Sequence, residues 1–346
     1  MGISFRPMIF HGLASLLALS VAYTAPGFWA ADAKAGPGFD LQAHRGGRGL
    51  WPENTLVSFA GALSLGVSTL ELDCAVTRDG VVVISHDPLL NPDITRDEKG
   101  HFLETHGAPF FTLRYEDILR YDVGRIKPGS AYAKGFPDQQ GVDGLRVPRL
   151  ADVFALVKKS GNTAIRFNIE TKITPGKPEE TLAPEPFAEA VVRVIREARM
   201  EQRAVIQSFD WRTLAVVRRI APQIETAALT TQRPGGGDNV QVGQPGPSPS
   251  LGGLDVDDFG GSVPKVVKAI GARYWSPNFN DFTAAQVKEA QGLGLLVVPW
   301  TVNEPADMEK FLGWGVDGII TDRPDRLRDV LAKKGLTLPK PTPVRP

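Results

Sequence analysis

The chain has 346 residues, of which 42% are hydrophobic and 23% are charged, and its formal net charge is zero. This size suits one large globular domain or two small ones. Because positive and negative charges balance, no overall field favours nucleic acid or an acidic membrane as a partner. The single cysteine, Cys74, cannot form an intramolecular disulfide, so the fold does not depend on an oxidising compartment.

The first 35 residues are predicted to be a targeting segment rather than part of the fold. Arg6 precedes an apolar run from Met8 to Ala25, and small residues suited to cleavage follow between Ala30 and Ala35. This order is typical of a cleaved secretory signal peptide. An uncleaved membrane anchor is disfavoured because His11 and Pro26 interrupt the run. We therefore expect a periplasmic or secreted protein without stable membrane insertion after cleavage.

Four ionisable side chains stand at predicted strand ends between residues 39 and 87. One short strand ends at His44, the next carries Glu71 and Asp73, and a third ends at His86. Because alternate residues of a strand point to the same face, the two carboxylates share a side. Burying two carboxylates on one face of an apolar strand is costly unless a cation compensates them. The four residues therefore predict a metal-assisted acid–base site.

Three sequence motifs follow one another between residues 44 and 87, namely H-R-G-x5-P-E-N-T, G-x4-E-x-D and T-x-D-G-x-V-V-x-S-H-D. A fourth, N-I-E-x-K, occurs at Asn168–Lys172. Each string alone is weak evidence, but the ordered set resembles the glycerophosphodiester phosphodiesterase family, in its periplasmic or secreted bacterial type. The resemblance implies a barrel enzyme that hydrolyses glycerophosphodiesters, which are small molecules, to glycerol 3-phosphate and an alcohol.

The regular pattern of strands and helices stops after residue 87. Residues 88–149 contain one helical piece, Tyr115–Tyr121, and a Gly/Pro-rich run, but no strong periodicity. A segment of this length is predicted to be an insertion rather than a plain connection. In the family, an insertion at the matching place helps to shape the substrate cavity. His101 and His106 are assigned to its surface.

Strands and helices alternate again from Val147 onward. In strand 164–172, apolar side chains alternate with polar ones that include Asn168 and Glu170. An apolar outer face and a polar inner face are typical of a barrel strand whose inner end holds a site. The later predicted strands are 205–209, 225–230, 273–277, 295–300 and 318–322. The first predicted barrel helix is about 54–64, and the others are 149–159, 186–199, 211–220, 263–270, 284–291, 306–314 and 325–331.

These elements predict an α/β fold, a (β/α)8 TIM barrel over residues 36–335. Nine strands are visible, because too few residues separate the strands of Glu71 and His86 for a helical crossover. We expect an extended return there, which places both strand ends on one rim, with the insertion (88–149) after this strand pair of the second βα unit. A doubly wound sheet is disfavoured, since no Gly-rich phosphate fingerprint follows the first strand. Loop 232–253 is expected not to pack, and tail 336–346 to be disordered.

The family resemblance implies roles for the polar strand ends. Glu71, Asp73 and Glu170 would hold one divalent cation. All-oxygen ligation suits Ca²⁺ or Mg²⁺ rather than zinc, and Ca²⁺ is favoured because it is more available outside the cytoplasm. His44 and His86 would form the acid–base pair, since imidazole changes charge near neutral pH.

The resemblance also implies a substrate site around these groups. Arg45 and Lys172 would neutralise the phosphoryl oxygens, and Phe209, Trp300 and Asn303 would line the glycerol pocket. In the family's mechanism a glycerol hydroxyl of the substrate attacks phosphorus, the alcohol leaves, and water opens the cyclic phosphate.

One further string, T-D-R-P at Thr321–Pro324, also matches the family. Asp322 stands there at a strand end, directly before a helix led by proline. An Asp in this position is predicted first of all to cap the helix.

Two other functions stay open. A related barrel phospholipase, phospholipase D-like or phosphoinositide phospholipase C-like, would act on intact or lyso lipids. No basic amphipathic stretch for membrane docking is visible in the sequence, which disfavours this alternative. A non-catalytic phosphodiester-binding protein is disfavoured because a binder has no need for both His44 and His86. The head group of the substrate is not specified by the sequence.

Overall fold

The computed structural model describes residues 1–2, 38–232, 239–244 and 246–346. The chain separates into two units, Met1–Pro37 and Gly38–Pro346, and the fold reported below is that of the second. The predicted signal segment, apart from its first two residues, lies outside the described residues. No helix in the described part of the chain is long and apolar enough to cross a membrane.

Eight parallel strands form a nearly closed barrel, which confirms the predicted (β/α)8 fold. Its neighbouring strands follow the order β8-β7-β6-β5-β4-β2-β1-β9, and backbone hydrogen bonds such as Asp317 N to Val297 O, 2.9 Å, join the regions of β8 and β9. The strands are β1 Asp40–Ala43, β2 Thr69–Val76, β3 Val82–Ile84, β4 Arg166–Thr171, β5 Ala204–Ser208, β6 Glu225–Thr230, β7 Tyr274–Pro277, β8 Leu296–Val297 and β9 Gly318–Thr321.

Seven of the described α-helices connect barrel strands, an eighth follows the last strand, and two short ones lie in the insertion. The barrel helices are α1 Leu56–Leu65, α4 Leu150–Ser160, α5 Pro184–Ala198, α6 Trp211–Ile220, α7 Val263–Ala269, α8 Ala284–Gly292, α9 Pro305–Trp314 and α10 Pro324–Lys333; the insertion carries α2 Tyr115–Ile118 and α3 Ala131–Gly135.

The two faces of β4 differ as the sequence predicts. Phe167 and Ile169 are fully buried in the core between strands and helices, where the Phe167 ring meets Phe154 of α4 edge-on at 4.8 Å. Asn168 and Glu170 point the other way, into the lumen, because side chains alternate along a strand. The lumen therefore receives polar groups along the same strand that anchors the outer core.

The ninth strand is one arm of a hairpin. β3 runs antiparallel to β2, with Cys74 opposite Ile84, so the predicted extended return is corrected to a turn over residues 77–81. A link this short allows a hairpin but no parallel return. Because β2 continues past the barrel rim and β3 comes back, His86 still reaches the rim, where Ser85 N donates to Asp73 O at 3.0 Å.

The insertion, residues 88–149, packs on this hairpin around a small core of its own. Apolar side chains of the hairpin and of the insertion meet there, so the insertion is held by burial rather than by its ends alone. His101 and His106 are exposed, as predicted. The core consists of Ala75, Val83, Leu90, Phe110, Ile118 and Val147.

Part of the described loop after β6 packs on the barrel, contrary to prediction. Val240 and Leu251 belong to the main core. Asn239 is buried, and its Nδ2 donates to Phe209 O at 3.0 Å and to Leu229 O at 2.8 Å. An asparagine that satisfies backbone carbonyls gives an irregular loop the hydrogen bonds that a strand would provide. Composition alone did not reveal this.

The C-terminal tail also differs from the predicted disorder. Leu338 and Val344 pack against the main core, and Thr342 N donates to Leu63 O at 2.8 Å. Arg328 of α10 donates to Pro339 O at 2.9 Å. The tail thus lies in an extended conformation across the ends of α1 and α10, at the face of the barrel where the strands begin.

Candidate active site

Three carboxylates meet at the rim of the barrel where the strands end. Glu71 and Asp73 lie on β2 and Glu170 on β4, and the parallel register places Asp73 directly beside Glu170. All three are buried, and each offers an oxygen within 4.8 Å of the others. The structure therefore brings together the three predicted cation ligands.

Among the described residues, one buried carboxylate oxygen of this cluster accepts no hydrogen bond. Glu71 accepts from Arg45 N at 2.8 Å and from Gln207 Nε2 at 2.7 Å, and Asp73 Oδ2 accepts from Asn54 Nδ2 at 2.9 Å. Asp73 Oδ1 is buried and accepts no hydrogen bond from any described residue. Lys172 Nζ lies 3.9 Å from this oxygen, which is beyond hydrogen-bond distance. A buried anionic oxygen without a hydrogen bond is costly, so the residues present fit a hard divalent cation bound by oxygen.

Burial and the neighbouring charges shift the pKa values of the three acids in different directions. Burial, together with Asp73, raises the pKa of Glu71 well above its ordinary value. Burial likewise raises the pKa of Glu170 to about 7, although Lys172 opposes it. For Asp73, burial acts to raise the pKa, but nearby positive charge led by Arg45 outweighs it and lowers the pKa. Burial thus favours the protonated forms of Glu71 and Glu170, whereas the nearby positive charge favours the ionised form of Asp73.

His44, which follows β1, is oriented by a carboxylate from the other end of the chain. Its Nδ1 lies 2.6 Å from Asp322 Oδ1, and its Nε2 lies 3.9 Å from Glu71 Oε2. Asn303 Nδ2 donates to Asp322 Oδ2 at 2.8 Å, and Arg48 Nε donates to Oδ1 at 2.6 Å. Burial is the main cause that lowers the pKa of His44, against the opposing effect of Asp322.

Asp322 does not cap the following helix, so that prediction is wrong. The residue before α10 is Arg323, which makes no side-chain cap, and the Asp322 carboxylate turns into the barrel instead. The parallel pairing of β9 with β1, with Thr321 opposite Ala43, is what brings it to His44.

The turn after β1 aims both the backbone and the side chain of Arg45 at the acids. Arg45 adopts a left-handed conformation with φ of 51°, which is uncommon outside glycine. Gly46 then allows α1 to approach, since a side chain there would collide with Ser58. The Arg45 guanidinium reaches Asp73 Oδ2 at 3.3 Å and Glu53 Oε1 at 2.8 Å.

His86 approaches from the hairpin with its own carboxylate. Its Nδ1 lies 2.7 Å from Asp87 Oδ1, while Asn91 holds the second oxygen of Asp87. Burial, reinforced by Arg45 and Lys172, lowers the pKa of His86 to about 4. Both predicted acid–base residues therefore pair one ring nitrogen with an Asp and keep the other available.

A rim cavity of about 100 Å³ joins these groups. Lys172 lies 2.7 Å from Glu170 Oε1 and 5.7 Å from the centre of the Phe209 ring. Phe209 and Trp300 meet edge-on at 5.2 Å and form an apolar wall. Asn303 instead holds Asp322, as its Oδ1 also accepts from Asp322 N at 2.9 Å. Asn303 thus holds the partner of His44 and is not among the residues that line this cavity.

Several residues of the site were not singled out in the sequence. Asn54 and Glu53 stand inside the P-E-N-T motif, which is a signal for them, and Gln207 stands near the end of a strand. Tyr132 of α3 donates to Glu53, and it also accepts from Arg48 NH1 at 3.2 Å. Because the insertion has no periodicity, no sequence signal pointed to Tyr132.

Comparisons with known proteins agree with this geometry. The glycerophosphoryl diester phosphodiesterase family matches residues 44–326. A glycerophosphodiester phosphodiesterase of Caldanaerobacter subterraneus subsp. tengcongensis is 30% identical over 85% of this chain and 98% of its own. One of Bacillus subtilis is 28% identical, over 85% of this chain and 86% of its own.

Solved structures give the same fold. A Silicibacter pomeroyi structure, described as a glycerophosphoryl diester phosphodiesterase, is 37% identical with a TM-score of 0.76, and the match covers 87% of this chain and 96% of that one. An Oleispira antarctica phosphodiesterase, solved in complex with the product sn-glycerol-3-phosphate, is 19% identical with a TM-score of 0.61. It covers 85% of this chain and 96% of its own, and the likeness concerns the fold alone.

Proposed function

Because the chain belongs to the glycerophosphoryl diester phosphodiesterase family and is an enzyme of that class, we propose that it cleaves small glycerophosphodiesters with one divalent cation and two histidines. The products are glycerol 3-phosphate and the free alcohol. The observation that best supports the cation is Asp73 Oδ1, a buried oxygen that accepts no hydrogen bond in the described part of the chain and lies among three carboxylates.

Glu71, Asp73 and Glu170 are the proposed ligands of the cation. Their donor set is all oxygen, which suits Ca²⁺ or Mg²⁺. We favour Ca²⁺, because the N-terminal sequence predicts a periplasmic or secreted enzyme and Ca²⁺ is the more available ion there. When bound, the cation supplies Lewis-acid stabilisation of charge on a phosphoryl oxygen.

The two histidines divide the proton transfers in this proposal. One takes the proton of the substrate's glycerol 2-hydroxyl as its oxygen bonds to phosphorus, and the other protonates the alcohol as its P–O bond breaks. Water then adds to the cyclic phosphate and one ring P–O bond breaks, with the two roles exchanged. Lowered pKa values leave His44 and His86 able to accept a proton at neutral pH. The histidine that acts as the acid enters the step protonated, a form that the negative charge of the bound phosphodiester favours.

The remaining lining fits a phosphodiester with a small polar end. Arg45 and Lys172 supply positive charge beside the carboxylates, where the phosphoryl oxygens would lie. Phe209 and Trp300 offer an apolar wall for the carbon skeleton of glycerol. The glycerol 3-phosphate in the Oleispira antarctica relative supports a ligand of this size.

Product analysis tests this function. The mature protein, supplied with Ca²⁺, should convert glycerophosphocholine to glycerol 3-phosphate and choline, which phosphorus NMR and a choline assay distinguish from other products. Phosphocholine as product would indicate cleavage of the phospholipase C kind. Faster turnover of bilayer phospholipid than of glycerophosphocholine would indicate a lipase, and no turnover of any head group would indicate a binding protein.

A substrate analogue tests the cyclic intermediate separately. Glycerophosphocholine that lacks the 2-hydroxyl has no internal nucleophile, so it should bind as an inhibitor without being cleaved. Cleavage at a rate close to that of the natural diester would show that water attacks phosphorus directly.

A further inference from the structure

A chain of buried amides runs through the barrel lumen below the carboxylates. Gln207 Nε2 donates to Glu71 Oε1 at 2.7 Å. Asn168 Nδ2 donates to Gln207 Oε1 at 2.9 Å and to Gln42 Oε1 at 2.8 Å. Gln42 Nε2 then donates to Asp40 Oδ2 at 2.8 Å. Asn168 is therefore a hub with two arms, one ending at a proposed cation ligand and one ending at the far side of the lumen.

The hydrogen bonds of this amide network have one consistent donor-to-acceptor direction. As a cation ligand, Glu71 is ionised and can only accept hydrogen bonds. Gln207 must therefore turn its NH₂ group toward Glu71 and its carbonyl toward Asn168. Asn168 then has to donate to both glutamines, and its own Oδ1 stays buried without a partner among the described residues. The Asn168 amide nitrogen thus donates two hydrogen bonds, while its carbonyl oxygen accepts none.

The result of this direction is a fixed Glu71 carboxylate. One oxygen accepts from Gln207 and the other from Arg45 N at 2.8 Å, so neither can rotate without breaking a buried bond. We propose that Gln207 and Asn168 are positioning residues of the cation site, which hold Glu71 in the orientation that binds the ion. This inference rests on the proposed cation at Glu71.

A merely structural role makes a different prediction. Gln42, Asn168 and Gln207 are all almost fully buried in the lumen. If the amides only fill the barrel, loss of either arm should have the same effect. If they position Glu71, only the Gln207 arm should affect the cation, because the Gln42 arm ends at Asp40.

Calorimetric titration of Ca²⁺ and of Mg²⁺ into Gln207→Met, Asn168→Leu and Gln42→Met compares the two arms, with thermal unfolding as a check on folding. Loss of a residue that orients a metal ligand costs ~10–100-fold in metal affinity. We expect Gln207→Met to weaken binding by about this factor and Asn168→Leu to weaken it too, while Gln42→Met binds like wild type. Asn168→Leu keeps the test open if Gln207→Met does not fold.

Two results would overturn the proposal. Wild-type affinity in Gln207→Met or Asn168→Leu would do so, and so would an equal loss of affinity in Gln42→Met. A Glu71→Gln control separates this failure from that of the proposed function. If Glu71→Gln binds the cation like wild type, or wild type binds none, the cation site itself is wrong; if Glu71→Gln alone loses the ion, only the role of the amides is.

Discussion

His44 Nδ1 and Asp322 Oδ1 lie 2.6 Å apart, although 278 residues separate them in the chain. The first and last strands of the barrel are neighbours, so closure of the barrel creates this pair. A carboxylate on one ring nitrogen fixes the tautomer and directs the other nitrogen toward the cavity. The orientation of one of the two proposed acid–base residues therefore depends on closure of the barrel.

Asp322→Asn should abolish most of the activity without lowering the affinity for the cation. The amide does not stabilise the charged imidazole, and general acid–base catalysis is worth ~10²–10⁴-fold, so kcat should fall within that range. Steady-state kinetics and calorimetry of Ca²⁺ measure the two effects. Asp325 lies three residues after Asp322 and pairs with Arg323 at 2.7 Å. Asp325→Asn is therefore the matched control and should leave kcat unchanged. An unchanged kcat in Asp322→Asn would contradict the role of the pair.

Glu71→Gln and His86→Gln should separate binding of the cation from proton transfer. Glu71 is a proposed ligand, so Glu71→Gln should lower the affinity for Ca²⁺. Added Ca²⁺ should then restore activity only in part. His86 is bonded to Asp87, not to the cluster, so its loss should lower kcat by ~10²–10⁴-fold with unchanged Ca²⁺ affinity. Calorimetry on both variants decides. The opposite pattern would reverse the division of roles.

The stabilisation that Ca²⁺ gives should grow as pH rises through neutrality. In the metal-free fold the pKa of Glu170 is raised from 4.5 to about 7, mainly by burial. Between these values the folded state holds a proton that the unfolded chain has lost, so metal-free stability falls as pH rises. Cation binding needs ionised carboxylates, so the ion restores more stability at high pH than at low pH.

Melting temperatures with Ca²⁺ and with chelator, on both sides of the pKa of Glu170, measure this difference. Glu170→Gln should reduce the pH dependence of the shift in melting temperature, and Glu71, whose pKa burial also raises, should account for the remainder. Glu180→Gln, which changes a carboxylate paired with Lys177 at 2.9 Å, should keep it. An equal shift in wild type at both pH values would contradict the prediction.

Tyr132→Phe should lower both stability and substrate affinity. Its hydroxyl donates to Glu53, which in turn holds Arg45. Loss of a hydrogen bond to a buried carboxylate lowers the free energy of unfolding by about 1–3 kcal/mol. Because Glu53 then holds Arg45 less firmly, KM should rise. Tyr115→Phe is the control, because its hydroxyl donates to Val147 O within the insertion. That variant should lose stability at unchanged KM.

Removal of residues 337–346 should destabilise the fold but spare catalysis. The half-buried Leu338 and Val344 and the hydrogen bond at Thr342 would be lost, which together should cost roughly 1–3 kcal/mol. The tail lies at the end of the barrel opposite the carboxylates, so kcat should not change. Denaturant unfolding and kinetics on the shortened chain test both parts. Unchanged stability would support the disorder predicted from the sequence.

Local periodicity made the barrel and the carboxylate cluster predictable. Glu71 and Asp73 share a face because strands repeat every two residues, and Glu170 follows the same rule on β4. Those relationships need only the strand and its neighbour. The expectation of an extended return for β3 overlooked that a link as short as residues 77–81 allows a hairpin but no parallel return.

Contacts between distant segments were not predictable in the same way. Asp322 reads locally as a helix cap, and only the closure of the barrel reveals its true partner. Tyr132 belongs to a segment without periodicity, so nothing in its neighbours points to Glu53. The packing of Leu251 and Val344 likewise depends on surfaces formed by remote helices.

Because of the β2–β3 hairpin, the two histidines are held by different parts of the structure. His44 is tied to the closed barrel, whereas His86 follows a strand whose side chains share a core with the insertion. An engineer who grafts a different insertion onto this scaffold would therefore leave the carboxylates and His44 in place but disturb His86. In the proposed mechanism, one of the two proton-transfer residues therefore depends for its position on a surface segment that can vary while the barrel stays the same.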